Sequence, residues 1–236
     1  MFGGQDSKQH TVQPYVTGTS VIGLKCADGV VLGADTLVSY GSLAKNRKTS
    51  RLMTVSNHCS LGFSGEYSDF QEIKSTLEEL MISEYCMADN IPMQPRAIHQ
   101  YLARVMYEAR NKQDPLYNQL VIGGVLPATG EGYLGLVDLL GTNYESEMIA
   151  TGYGTYIALP LLRKAYRPDI TVAEGRKVIE DCLRVLYYRD ARSIDTVQIS
   201  TVTKEGAETT EPFKLETSWD FKKFKAGSRL IDESTW

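Results

Sequence analysis

A hydroxyl nucleophile needs a base and a charged group to steady its oxygen, and the stretch from Thr17 to Asp35 carries candidates for two of those parts. Thr-Gly-Thr-Ser-Val-Ile-Gly-Leu-Lys-Cys leads through Ala-Asp-Gly into Val-Val-Leu-Gly-Ala-Asp. Two β-prone runs across an Asp-Gly pair predict a hairpin in which Gly29 supplies the positive φ of a tight turn. Thr19 then opens the first strand and Asp35 closes the second, so antiparallel pairing makes neighbours of residues sixteen positions apart. The same stretch also fits an ordinary edge hairpin with Thr19 and Ser20 as β-compatible surface hydroxyls. Pattern alone leaves both readings open.

Other chemistries find less support. Cys26, Cys59, Cys86 and Cys182 are dispersed with no Cys-x-x-Cys pair, and no histidine stands at metal-ligand spacing, so reduced thiols and no metal are expected. His58 beside Cys59 reads as the end of a strand rather than half of a catalytic pair. The chain of 236 residues is 42% hydrophobic and 23% charged with a net charge of −4, which is soluble and globular and argues against a nucleic-acid surface. Its apolar runs fall short of the roughly 18 to 20 residues of a membrane span. With no signal segment at its start, the chain is expected to stay inside the cell.

The elements that must position these residues follow in order. Residues 1–18 are polar and glycine-bearing, a flexible leader. The segment Thr36 to Ser50, rich in Ser, Gly and Lys, reads as a surface loop. Arg51-Leu-Met-Thr-Val-Ser and Cys59-Ser-Leu-Gly-Phe-Ser-Gly extend the first hairpin into a four-stranded meander. Phe70, Ile73, Leu77, Leu80 and Met81 predict a helix through about Met87, broken by Pro92 and Pro95. A second helix from Pro95 to Asn111 puts Ile98, Leu102, Val105 and Met106 on one side. Gln119–Val125, Gly132–Asp138 and Glu147–Ala150 read as three strands of a second sheet, followed by helices over Tyr153–Tyr166 and Val172–Tyr188 and a last strand Val197–Thr203. Two sheets with helix pairs outside satisfy every buried face. The expected fold is therefore α+β, a four-layer αββα sandwich of mainly antiparallel sheets, with a single domain over 19–208 and a tail over 209–236. In that tail Phe213, Trp219, Phe221 and Phe224 lack periodicity, and aromatics of this size suit partner contact better than a free end.

The order of elements and several strings resemble the β-type subunits of the 20S proteasome, which are N-terminal-nucleophile hydrolases. The anchors are Gly18-Thr19, the run ending at Asp35, Ser64-Gly65, Gly152-Tyr153-Gly154 and Tyr188-Arg189-Asp190-Ala191-Arg192-Ser193. They extend over about Val16 to Gly206. Val-Thr-Gly-Thr-Ser, Tyr-Gly-Ser-Leu-Ala, Ala-Thr-Gly-Tyr-Gly and Leu-Tyr-Tyr-Arg-Asp-Ala-Arg-Ser are similar to a non-catalytic branch of that family. In catalytic members the leader is cut after the glycine matching Gly18. The freed α-amino group, with a pKa of about 8, then serves as base for the threonine matching Thr19. A lysine held by the aspartate matching Asp35 steadies the alkoxide, and the N–H matching Gly65 donates to the oxyanion. The residues matching Asp190 and Ser193 complete the network.

Here Thr19, Asp35, Gly65, Asp190 and Ser193 are present, but Arg51 stands at the lysine position and Tyr153 at that of a small serine. An arginine keeps its proton and spreads its charge over a planar fork, so it does not reproduce a compact ammonium. Self-cleavage in the family uses the same machinery, so the leader is expected to stay attached at Gly18, with Thr19 acylated and the pocket vestigial. The resemblance implies a structural subunit of the inner β rings in ubiquitin-dependent degradation, in a 28-subunit particle of α and β subunits in the cytoplasm and nucleus. It implies no cofactor, a leader trimmed by active neighbours at about His10-Thr11, and a tail reaching the opposite β ring through Trp219, Phe221 and Phe224. The alternative is a working threonine peptidase with Thr19 freed.

Overall fold

The computed structural model describes residues 13–87 and 93–220. His10, Thr11, Pro92, Phe221 and Phe224, named above, lie outside the described residues. Four helices and thirteen strands are described: β1 (Val21–Cys26), β2 (Gly29–Asp35), β3 (Val38–Tyr40), β4 (Leu43–Asn46), β5 (Leu52–Ser56), β6 (Cys59–Gly65), α1 (Tyr67–Met87), α2 (Pro95–Asn111), β7 (Asn118–Val125), β8 (Gly132–Val137), β9 (Asn143–Glu145), β10 (Met148–Ala150), α3 (Gly154–Ala165), α4 (Val172–Arg189), β11 (Thr196–Thr203), β12 (Gly206–Thr209) and β13 (Phe213–Lys214).

The strands form two antiparallel sheets and a separate β3–β4 hairpin. One sheet runs β10-β1-β2-β11-β12 with β13 also paired to β11, and the other runs β5-β6-β7-β8-β9. Val21, Val30, Leu32, Leu52, Val121 and Leu134 are buried together between the sheets. Ala158, Leu162, Ile179, Leu183 and Leu186 of α3 and α4 cover the outer face of the first sheet, and Phe70, Ile73, Leu77, Ile98, Leu102 and Met106 of α1 and α2 cover that of the second. The result is the four-layer αββα sandwich that the alternation of strand pairs and helix pairs predicts. Local chemistry agrees with it. Pro95 opens α2, where its missing N–H costs nothing, and Thr171 with Glu174 makes a reciprocal capping box at the start of α4.

Several expectations are corrected. The first four strands do not form one meander: β1 and β2 pair with each other in one sheet, while β5 and β6 pair in the other. Periodicity reports which face is apolar but carries no information on which sheet a strand joins. For the same reason Met148–Ala150 lies beside β1, not beside β8, whose neighbour is the short β9. The polar stretch Thr36–Ser50 is not a plain loop, because Gly41, at φ +61°, turns it into the β3–β4 hairpin. Gly29 is not the left-handed residue of its turn: Cys26 pairs with Gly29 and the turn is Ala27-Asp28. A Cβ at Gly29 would stand 2.3 Å from the Val202 carbonyl, so close strand approach explains that glycine. Order also continues past β11, since Phe213 and Leu215 pack onto the α3–α4 layer.

Candidate functional site

The site is built where the ends of the two sheets meet. Arg51 lies just before β5 and is 1% exposed, yet its guanidinium points into the space between Thr19, Ser20, Asp35 and Phe63. Nε donates to the Asp35 carbonyl at 2.9 Å. One Nη donates to the carbonyls of Thr19 and Phe63 at 3.0 and 3.3 Å, the other to the Ser20 carbonyl at 2.8 Å and to Asp35 Oδ1 at 2.5 Å. A guanidinium has five N–H groups, and every one is committed. Arg51 therefore staples the start of β1 and the end of β2 to β6 of the facing sheet.

Asp35 is held equally firmly, its second oxygen accepting from the Ile194 N–H at 3.1 Å. Burial pushes its carboxyl above the ordinary range, while the Arg51 charge and the Ile194 hydrogen bond draw it back. The ion pair of Arg51 is with Asp35.

Residues preceding Thr19 are stitched into the same place. Gly18 and Gly65 form an antiparallel bridge in which the Gly65 N–H donates to the Gly18 carbonyl at 3.0 Å and the Gly18 N–H donates back at 2.9 Å. The expected oxyanion donor thus already holds a carbonyl of its own chain. The Thr17 hydroxyl donates to the Gly65 carbonyl at 3.0 Å and accepts from the first N–H of α1, at Tyr67, at 2.9 Å. The Thr17 carbonyl takes the Ser39 N–H of β3, and the Tyr15 N–H reaches Glu66 Oε2 at 2.6 Å. A Cβ at Gly18 would meet the Arg51 side chain at 3.1 Å. The segment is packed against the guanidinium as closely as a glycine allows.

Among the described residues, no hydrogen bond engages the Thr19 hydroxyl. Asp190 and Ser193 approach it but do not reach it. Their side chains, with Thr19 and Asp35, line a cavity of about 10 Å³. The Ser193 hydroxyl turns to the carbonyls of Asp190 and Leu186 at the end of α4, at 2.8 and 3.3 Å. Asp190 Oδ1 accepts from the Arg192 N–H, while its other oxygen is buried without a partner. Tyr153 is 61% exposed and forms a wall of a cleft of about 970 Å³ together with Tyr156, Gly65, Tyr15 and Val16. The segment before Thr19 thus shares the cleft with the candidate site.

Sequence reasoning missed two residues that hold this site. Thr17 caps α1 from outside the helix, and Ser20 accepts the Gly154 N–H at the start of α3 at 2.8 Å. The clustered hydroxyls of Thr17, Thr19 and Ser20 were the available signal, since such side chains favour helix starts. Cys59 is fully buried and its thiol is pushed up to about 12 by burial, so it is not a thiolate partner for His58. Cys26 and Cys182 behave alike, whereas Cys86 is exposed. Trp219 meets Tyr187 and Tyr188 of α4 edge-on at 5.6 and 4.9 Å and remains 58% exposed. Among the described residues no helix is long and apolar enough to cross a membrane, and no cluster of metal-ligating side chains occurs.

A family model described as proteasome subunit matches residues 15–202. The chain is 45% identical over 228 residues to proteasome subunit beta type-4 of Xenopus laevis, covering 96% of this chain and 93% of the relative. It is 49% identical over 212 residues to the beta type-4 subunit of Dictyostelium discoideum, covering 89% and 81%. With proteasome subunit beta type-7 of Saccharomyces cerevisiae it shares 39% identity over 231 residues, covering 93% and 86%.

Proposed function

This chain belongs to the proteasome subunit family, and from that premise we propose that it is a β-type subunit that builds the core particle without cutting peptides itself. The observation that carries this reading is the complete commitment of Arg51. A group with five occupied donors and no removable proton neither relays a proton nor follows charge developing on Thr19. While Gly18 stays joined to Thr19, the Gly65 N–H is bonded to the Gly18 carbonyl and is not open to a substrate carbonyl. The names of the relatives, beta type-4 and type-7 subunits, agree with a β-ring position.

On this reading the chain takes its place in the inner β rings of a 28-subunit assembly with α and β partners, in the cytoplasm and nucleus. Its leader is trimmed upstream of Thr17 by active neighbours, at about His10-Thr11. The tail is launched from α4, where Arg184 Nε binds the Glu216 carbonyl at 2.8 Å and the Ser218 N–H binds the Tyr188 hydroxyl at 2.8 Å. Trp219 stands at the root of that tail, and on this reading Trp219, Phe221 and Phe224 are the residues that grip the opposite ring.

One observation favours the second reading, a working threonine peptidase. The Gly18 carbonyl sits on the Gly65 N–H as a scissile carbonyl does in an oxyanion hole, next to an unengaged Thr19 hydroxyl. Thr19→Ala separates the two. The variant is expected to assemble normally and to leave every peptidase activity of the particle unchanged. Loss of one cleavage specificity from fully assembled particles would overturn the structural reading.

A further inference from the structure

Away from that cleft, the layer beneath α2 buries a histidine that the site does not use. His99 is fully buried, with Nε2 2.9 Å from the Leu136 carbonyl and Nδ1 2.6 Å from the Tyr133 hydroxyl. Tyr133 is 6% exposed, and its oxygen lies 3.2 Å from Glu145 Oε1, which in turn lies 3.2 Å from an Arg96 guanidinium nitrogen. The imidazole rests against Gly135 so closely that a Cβ there would stand 2.7 Å from the ring. The chain of contacts runs from the core to a cleft of about 240 Å³ between the sheets' edges.

Counting protons along this chain gives two states. The Leu136 carbonyl only accepts, so Nε2 carries a hydrogen in both. When His99 is neutral, Nδ1 is a lone pair and takes the single Tyr133 O–H. No proton then lies between Tyr133 and Glu145, and the carboxylate has Arg96 as its partner. When a proton enters at Nδ1, that N–H donates to the phenol oxygen and the displaced O–H rotates onto Glu145. One proton is gained, one hydroxyl turns, and no heavy atom has to move.

We propose that His99, Tyr133 and Glu145 form a proton-coupled switch, in which a proton taken up in the core is answered at the surface by Glu145 accepting the Tyr133 hydroxyl in competition with Arg96. The surroundings leave Glu145 as the counter-charge. β7, which also packs under α2, brings no titratable side chain, and α1 contributes Phe70, Ile73 and Leu77 to the shared core. In the cleft, Lys25 is paired with Glu131 at 3.1 Å, and Glu147 lines the same opening. Burial holds His99 below its ordinary value, opposed by its hydrogen bond to Leu136 and by the charge of Glu145. Burial likewise pushes the Tyr133 phenol up, so it stays protonated while the imidazole titrates. The contribution of the neutral ring to stability is therefore complete above 6.5 and is lost as the pH falls through the depressed value. The relay limits that loss, and it alters the charge presented at the cleft by loosening Arg96.

The full chain, labelled with nitrogen-15 in its three histidines, tests this by imidazole NMR between pH 8 and 5, with His99→Gln for assignment. The expected result is an Nε2–H tautomer at pH 8 and a single proton uptake below 6.5. Glu145→Gln, an exposed and conservative change, is expected to lower the proton affinity of His99 about tenfold, one pKa unit. Arg96→Gln is expected to raise it several-fold by freeing the carboxylate. An Nδ1–H tautomer at pH 8, or a His99 titration that Glu145→Gln leaves in place, would overturn the switch. So would a ring that takes up no proton before the chain unfolds. Because none of these readouts involves Thr19 or Arg51, their failure is distinguishable from failure of the subunit reading.

Discussion

In urea unfolding of the full chain, Arg51→Met is expected to lower stability by about 3–5 kcal/mol, the cost of removing one member of a buried ion pair. The Asp35 carboxylate is left 4% exposed with its principal counter-charge gone, and the carbonyls of Thr19, Ser20, Asp35 and Phe63 lose their donor. Arg51→Lys is expected to recover part of the loss only, because an ammonium has three N–H groups for the five acceptors now served. Removing the Asp35 charge as well, in Arg51→Met with Asp35→Leu, is expected to cost less than the sum of the two single changes, since both report one shared interaction. An Arg51→Met loss below about 1 kcal/mol would mean that the guanidinium is not the staple described.

Gly65→Ala is expected to be at least as damaging, with a loss above about 4 kcal/mol or no folded chain at all. Two effects combine there. The residue sits at φ +106°, and an added Cβ would fall 2.1 Å from the Tyr117 carbonyl, a backbone atom just before β7 that has no flexible end to move. Gly41→Ala provides the comparison, since that glycine also has positive φ, +61°, but meets nothing within 4 Å. Its cost is expected to stay near 1–2 kcal/mol, the penalty for a left-handed residue alone. Equal losses in thermal unfolding of the two variants would show that close packing around Gly65 is not what fixes the bridge to Gly18.

The contrast between these glycines shows what the sequence could reveal. Helix positions were legible because a 3.6-residue period is a local signal: Phe70, Ile73 and Leu77, or Ile98, Leu102 and Met106, announce their buried faces without knowledge of the rest of the chain. Strand membership was not, because whether Leu52 pairs beside β2 or faces it across the core depends on the path between them. Gly29 and Gly65 look alike in the chain, yet one permits close strand approach and the other adopts a left-handed backbone.

The site divides in the same way. Arg51 was legible as a chemical departure because the identity of a side chain fixes its protonation. That all five of its N–H groups are used was not, because four acceptors are backbone carbonyls that any residue supplies. Ser193 lines the same small cavity as Thr19, but its hydroxyl satisfies carbonyls at the end of α4, a local competition invisible in residue type. The sequence assigns Thr17 to the end of a flexible leader. Its capping of α1 and bonding to Gly65 make it part of the structure instead.

The central claim is that Thr19 stays inside a peptide bond, with its preceding residues held by Gly65 and Arg51 and its nitrogen unavailable as a base. Amino-terminal sequencing of this chain taken from assembled particles measures that directly. The account predicts a first residue upstream of Thr17, with Gly18 still joined to Thr19; a chain that begins at Thr19 would contradict it.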